Sequence, residues 1–206
     1  MERATTIDEA KAIMGTNFIG PIELALISSK MDIRVPANVP PIPFNPIELK
    51  NKQKDHILIL SASQMSNGSP LTLRSMRDRF GINPEESEPC FYNQDWYLQE
   101  KFMEKPLELN WFLFRKMVYD ESRGKNPANI IEQFNFPSAI QSAYFFFVCW
   151  FSFKECLWKN DFIWCNDVDA NGDRIYVGRY FDPLGISKNG FSVHRQLRIR
   201  NNYGCI

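Results

Sequence analysis

Histidine is almost absent from this chain: only His56 and His194 occur in 206 residues, and the five cysteines, Cys90, Cys149, Cys156, Cys165 and Cys205, include no CxxC pair. That spacing gives a structural zinc site nothing to assemble from, because its thiolate and imidazole ligands come in closely spaced pairs. No HExxH, GxSxG, P-loop or GxGxxG pattern occurs either. The common metal-hydrolase, acyl-transfer and nucleotide chemistries therefore lack their sequence carriers, and no enzyme activity, catalytic residue, metal or cofactor is expected. Neither sign of charge is in excess, with 24 Lys and Arg against 24 Asp and Glu. That balance removes the whole-molecule field that would favour nucleic acid or an anionic membrane. Long apolar runs are missing too, since residues 136–153 are interrupted by Pro137, Ser138 and Gln141 and fall short of the roughly 20 residues a membrane span requires. The opening MERATTIDEAKAIMG carries charges where a secretory leader needs apolar residues. Reduced thiols in a cytoplasmic protein are expected, with the cysteines acting as small buried hydrophobes.

What the chain does have is aromatic rings, with 17 Phe, 7 Tyr and 5 Trp. They supply apolar surface for a substantial core and argue against disorder. The length fits a single domain over residues 1–206, divided into a helical N-terminal part at 1–50 and a core at 51–206. Residues 7–14 read as a helix with Thr6 or Asp8 near its cap and Gly15 at its end, and a second helix starts at Gly20-Pro21 and runs to about Ser28. Pro36, Pro40, Pro41, Pro43 and Pro46 then deny regular structure and make residues 35–46 a strap or linker. HILIL at 56–60 reads as a buried strand, the first of the core, and residues 108–118 alternate enough to be another. Residues 71–80 read as a helix on which Arg74, Arg77 and Arg79 form a solvated face, or alternatively a phosphate or nucleic-acid patch. Residues 136–153, starting at Pro137-Ser138 and apolar nearly all round, are the expected central buried helix.

The end of the chain is the most informative part. Asn171-Gly172 lies between FIWCND and RIYVGRYF and predicts a hairpin with a type I′ turn. The same stretch, D-x-D-x-N-G from Asp167, opens an EF-hand calcium loop, but the twelfth position is Gly178, where a bidentate Glu is required. A scaffold turn is therefore expected in place of a calcium site. Beyond it, FSVHRQLRIR alternates: Phe191, Val193, Leu197 and Ile199 are expected inward, and Ser192, His194, Gln196, Arg198 and Arg200 outward. Arg195 breaks the inward set and must reach a partner or an edge. Asn201, Asn202 and Tyr203 extend the outward row with adaptable hydrogen bonding and a rigid ring, as binding loops do. The candidate ligand-binding residues are thus Ser192, His194, Arg195, Gln196, Arg198, Arg200, Asn201, Asn202 and Tyr203, with a plain solvated strand face as the alternative. Arg174, Arg179, Lys188, Arg195, Arg198 and Arg200 make the region locally basic. An acidic protein patch or anionic glycan is the expected partner, ahead of nucleic acid. Cys205 with His194 is the only nearby thiol–imidazole pair, and a penultimate cysteine is a poor place for a positioned nucleophile.

In order and at similar spacing, EAKAIMGTNFIGPIE, HILIL, FYNQDWYLQEKF, NWFLFRK and above all DVDANGDRIYVGRYFDPLG resemble the variable proteins encoded beside diversity-generating retroelements. The resemblance spans most of the chain and leaves out residues 61–89. It implies an α+β, C-type-lectin-like domain with small antiparallel sheets, N-terminal helices and one buried aromatic-rich helix. It implies a variable C-terminal segment at about 185–203, centred on 190–203, that binds a protein or glycan. It also implies a reverse transcriptase that copies a template repeat with errors at adenines, acting on the gene and not as a binding partner. A bacterial or phage interaction protein on the same scaffold, with an unvaried tail, is the second expectation.

Overall fold

A computed structural model describes residues 4–185 and 189–206, which form a mixed α+β fold dividing into two compact units. The first unit combines Met1–Leu71 with Leu107–Lys116. Its helix α1 (Ile7–Met14) starts where the Thr6 side chain accepts from the Glu9 N–H, and stops at Gly15, whose φ of 57° few other residues adopt. Helix α2 (Pro21–Met31) is opened by Gly20, with the Glu23 carboxylate reaching back to the Gly20 N–H at 2.9 Å. It runs past Ser28 to a left-handed Asp32. Helix α3 (Pro46–Lys52) begins on the last proline of the strap, since a proline fits the first helical turn, where its missing N–H has no partner to lose.

The sheet of this unit centres on β2 (His56–Leu60), buried along its whole length as expected. It is flanked by β1 (Phe18–Ile19), parallel, and β3 (Trp111–Arg115), antiparallel, with Leu58 opposite Leu113. HILIL is therefore the second strand, because β1 is too short to leave a period in the sequence. The strap is tied down by Trp111 Nε1, which donates to the Pro40 carbonyl at 2.9 Å.

The second unit combines Thr72–Pro106 with Met117–Ile206. It holds α4 (Leu73–Phe80), α5 (Pro127–Ile130) and α6 (Ala139–Phe153). Ser138 and Gln141 form a capping box at the start of α6, and residues 142–149 of this helix are all fully buried. No helix among the described residues is long and apolar enough to cross a membrane. The sheet runs in the order β6-β5-β4-β7, built from β4 (Phe162–Val168), β5 (Arg174–Tyr180), β6 (Gly190–Arg195) and β7 (Tyr203–Gly204). Its register sets Trp164 opposite Tyr176 and Tyr176 opposite His194, which places all three on one face. The other face packs on α6, where Phe146 lies 5.1 Å from Phe191. Each such buried ring contributes about 1.5–3 kcal/mol by leaving water.

The β4–β5 hairpin is present, but its turn is not type I′. That turn needs positive φ at both central residues, whereas here only Gly172 has it, at 86°. The Asp169 carboxylate supplies the closure instead, accepting from the Asn171 and Asp173 N–H groups at 2.9 Å each.

Candidate ligand-binding surface

Strand β6 ends at Arg195, and β7 lies on the far side of β5 and β4, so residues 196–202 must cross over the sheet to connect them. Backbone bonds fix both ends of this crossover. The Gln196 N–H donates to the Arg174 carbonyl at 2.8 Å, and the Asn202 carbonyl accepts from Phe162 at 2.9 Å. The Asn202 side chain adds a bond to the Asn160 carbonyl at 2.6 Å. Between these ends Ile199 packs on a buried cluster that includes Phe162, Trp164, Tyr176 and Tyr203. Leu197, at 80% exposure, faces water together with Arg198, Arg200 and Asn201.

The expected outward row is therefore only partly outward. Ser192 is fully buried and its hydroxyl donates to the Gly178 carbonyl at 3.0 Å, because both faces of β6 are covered at that position. Tyr203 is also buried, since β7 inserts beside β4, and its hydroxyl lies 3.1 Å from that of Tyr176. Leu197, expected inward, is exposed because the strand, and with it the alternation, stops two residues earlier. Gln196 and Asn202 are half-buried at the two ends of the crossover. Ile186, Ser187 and Lys188 lie outside the described residues.

His194 is half-buried, with its ring stacked on Tyr176 at 5.1 Å and its Nδ1 3.2 Å from Gln94 Nε2. Burial, then the charge of Arg200, pushes its pKa down to about 4, so the imidazole is neutral at physiological pH. Arg195 finds the partner its position demands: its guanidinium lies over Trp96 at 5.4 Å and 3.6 Å from Asp169 Oδ2. Two other arginines also leave the basic row. Arg174 donates to the Cys165 carbonyl at 2.9 Å, and Arg179 is buried against Glu88 at 2.8 Å. Arg198 and Arg200 carry no ion pair among the described residues, so they hold the free positive charge of the crossover.

Two sets of residues here were not legible from local pattern. The first is the FYNQDWY stretch, which covers the outer edge of β6. Tyr92 donates its N–H to the Phe191 carbonyl at 2.8 Å, and Trp96 Nε1 donates to the Val193 carbonyl at 3.1 Å. The second is the arginines of α4. Arg77 pairs with Asp95 at 3.1 Å and Arg74 pairs with Glu104, so these two clamp the segment after α4 and are not simply a solvated face or a phosphate patch. The acids of the calcium-like stretch are likewise engaged. Asp167 Oδ2 accepts from the Ala139 N–H at 2.6 Å at the start of α6, and Oδ1 takes Lys105 at 3.2 Å. Cys205 is buried, which pushes its thiol up to about 12. With His194 neutral, this pair is tuned away from a thiolate–imidazolium arrangement.

No known family model, curated protein or solved structure matches the chain.

Proposed function

We propose that this is a ligand-binding protein of the retroelement variable-protein kind, on a C-type-lectin-like domain, and that the crossover 196–202 is its recognition element. The observation that carries this reading is the division of labour within the crossover. Ile199 and the two ends are anchored and the Arg200 carbonyl accepts from the Tyr203 N–H, while the side chains of Leu197, Arg198, Arg200 and Asn201 face water and make no hydrogen bond or ion pair among the described residues. Such positions accept sequence change at little cost to stability. The two unpaired guanidinium groups beside an exposed leucine suit an acidic protein patch or an anionic glycan, because Arg pairs with carboxylate and sulfate in a two-pronged geometry.

The reading is tested by replacing Leu197, Arg198, Arg200 and Asn201 together with serine and comparing retention on immobilised heparin. The expected outcome is weakened retention with a melting temperature within a few degrees of the parent. Unchanged retention would remove the crossover from recognition of anionic glycans. The diversification itself is tested in the surrounding DNA. A near-copy of the codons for residues 190–203, differing at adenines and lying beside a reverse-transcriptase gene, is expected; its absence leaves an interaction protein with a fixed tail.

A further inference from the structure

We propose that the first unit contains a separate binding site for a small monocarboxylic acid with a short apolar body, in the cleft between the start of the proline-rich strap and residues 63–64. The site involves no residue of the crossover 196–202, so it stands or falls independently of the reading above. The cleft has a volume of about 320 Å3 and is lined by Arg34, Val35, Pro36 and Asn38 of the strap together with Gln64 and Leu109, among others. That volume is at the lower end of the range for small-molecule pockets, which bounds the ligand to a compact molecule.

Arg34 supplies the specificity. Arg74, Arg77, Arg115, Arg123, Arg179 and Arg195 each have a carboxylate within ion-pair distance. Arg34 has none among the described residues. Its guanidinium is steadied only by neutral acceptors at long range, the Gln64 side chain at 3.4 Å and the Ser66 carbonyl at 3.3 Å. Charged donors normally bond at about 2.7–2.9 Å, so both contacts orient the group without saturating it. Asp32, the nearest acid in sequence, is engaged by the Ser66 hydroxyl. A Cβ at Gly68 would only touch Arg34 Nη2, at 3.4 Å, so it is the φ of 89° that calls for glycine beside the guanidinium.

The rest of the cleft is pre-set. Arg34 donates its N–H to the Gln64 carbonyl at 3.0 Å, and the adjacent Ile33–Met65 bridge fixes the base of the strap. Pro36 restricts the backbone where it turns along the wall, so little ordering is required on binding. A planar carboxylate matches the guanidinium fork, while Val35, Pro36 and Leu109 offer an apolar wall for the remainder of the molecule. A single cation beside an apolar wall is a poor receptor for a phosphate dianion, which selects the carboxylate.

The test is a nitrogen-15 NMR titration of the full chain with hexanoate, with hexanol and inorganic phosphate as the two controls. Hexanoate at millimolar concentration is expected to move the amide signals of Arg34, Val35, Asn38, Gln64 and Leu109, and neither control is expected to do so. Arg34→Gln is expected to abolish the shifts while keeping a dispersed spectrum. Arg34→Lys, which keeps the charge but loses the fork, is expected to weaken them and serves if the glutamine variant does not fold. The proposal is overturned if hexanoate moves none of these signals, if hexanol or phosphate moves them equally, or if the shifts persist undiminished in whichever variant folds.

Discussion

Arg195 and Arg198 stand three residues apart in one basic stretch, yet their surroundings give them different tasks. The Asp169 side chain is fully buried, and among the described residues its Oδ2 has Arg195 as its ion-pair partner and no hydrogen bond. Removing Arg195 leaves a buried carboxylate without a counter-charge. Because the Arg195 side chain is 41% exposed, the full penalty of a buried pair is discounted for solvent. Arg195→Ala is expected to lower the urea unfolding free energy by about 1–3 kcal/mol, against a change within about 0.5 kcal/mol for Arg198→Ala or Arg200→Ala. Equal losses in all three variants would refute the distinction. His194 gives a pH signature at the same scale. Its folded pKa of about 4 lies below the ordinary 6.5, so the unfolded chain takes up the proton first. The resulting stability is complete above about pH 6.5 and is lost as pH falls toward about 4, by up to about 3 kcal/mol. Urea unfolding at neutral pH and at about pH 5 should show a smaller loss for His194→Gln than for the parent. The variant should keep some slope, because burial lowers the pKa of His56 as well. Arg195 was legible in the sequence as a residue in need of a partner because it broke the alternation. Ser192 was misplaced because period-two reasoning does not show that both faces of a strand are covered, and Tyr203 because it does not show where one strand stops and the next begins.

At the scale of elements, helices were easier to read than strands because their ends carry local chemistry. Thr6 with Gly15 marked α1, and Pro137-Ser138 marked the start of α6, within a few residues of sequence. Strands β1 and β7 have two residues each and no period to detect; only pairing with β2 and β4 creates them. The arginines of α4 were ambiguous for a related reason, since their carboxylate partners lie well along the chain. Two glycines of the hairpin separate close packing from backbone conformation. A Cβ on Gly178 would lie 2.1 Å from the Asp161 carbonyl oxygen, a backbone atom with little freedom to move. At Gly172 nothing lies within 4 Å, and the cost of a side chain is that of its positive φ alone. Gly178→Ala is therefore expected to cost more than about 3 kcal/mol and Gly172→Ala about 1 kcal/mol. Thermal denaturation followed by circular dichroism ranks them, and the reverse order would mean that the backbone at Asp161, just before β4, yields.

For the whole molecule, composition indicated a chain with a substantial core and the local patterns gave both helices and strands, while the division into two units was not legible because the first unit is interrupted in sequence. Residues 72–106 of the second unit intervene before Leu107–Lys116 completes the first. Strand β2 pairs through two residues with β1 but through five with β3, and the ring of Trp111 in β3 lies 5.6 Å from that of Phe18. A fragment ending at residue 71 keeps β2, which is buried along its whole length in the intact chain, but exposes its longer hydrogen-bonding edge. It is expected to show no cooperative melting transition. The missing piece can be returned without the intervening residues, because the Leu107 N–H donates to the Leu71 carbonyl at 2.8 Å and the two cut ends are therefore adjacent. Residues 1–71 joined to 107–116 by a short Gly-Ser linker should regain a cooperative transition. If 1–71 alone melts cooperatively, β3 is not needed to complete the sheet. If the linked form fails to melt cooperatively while the full chain does, the first unit depends on more than its own residues.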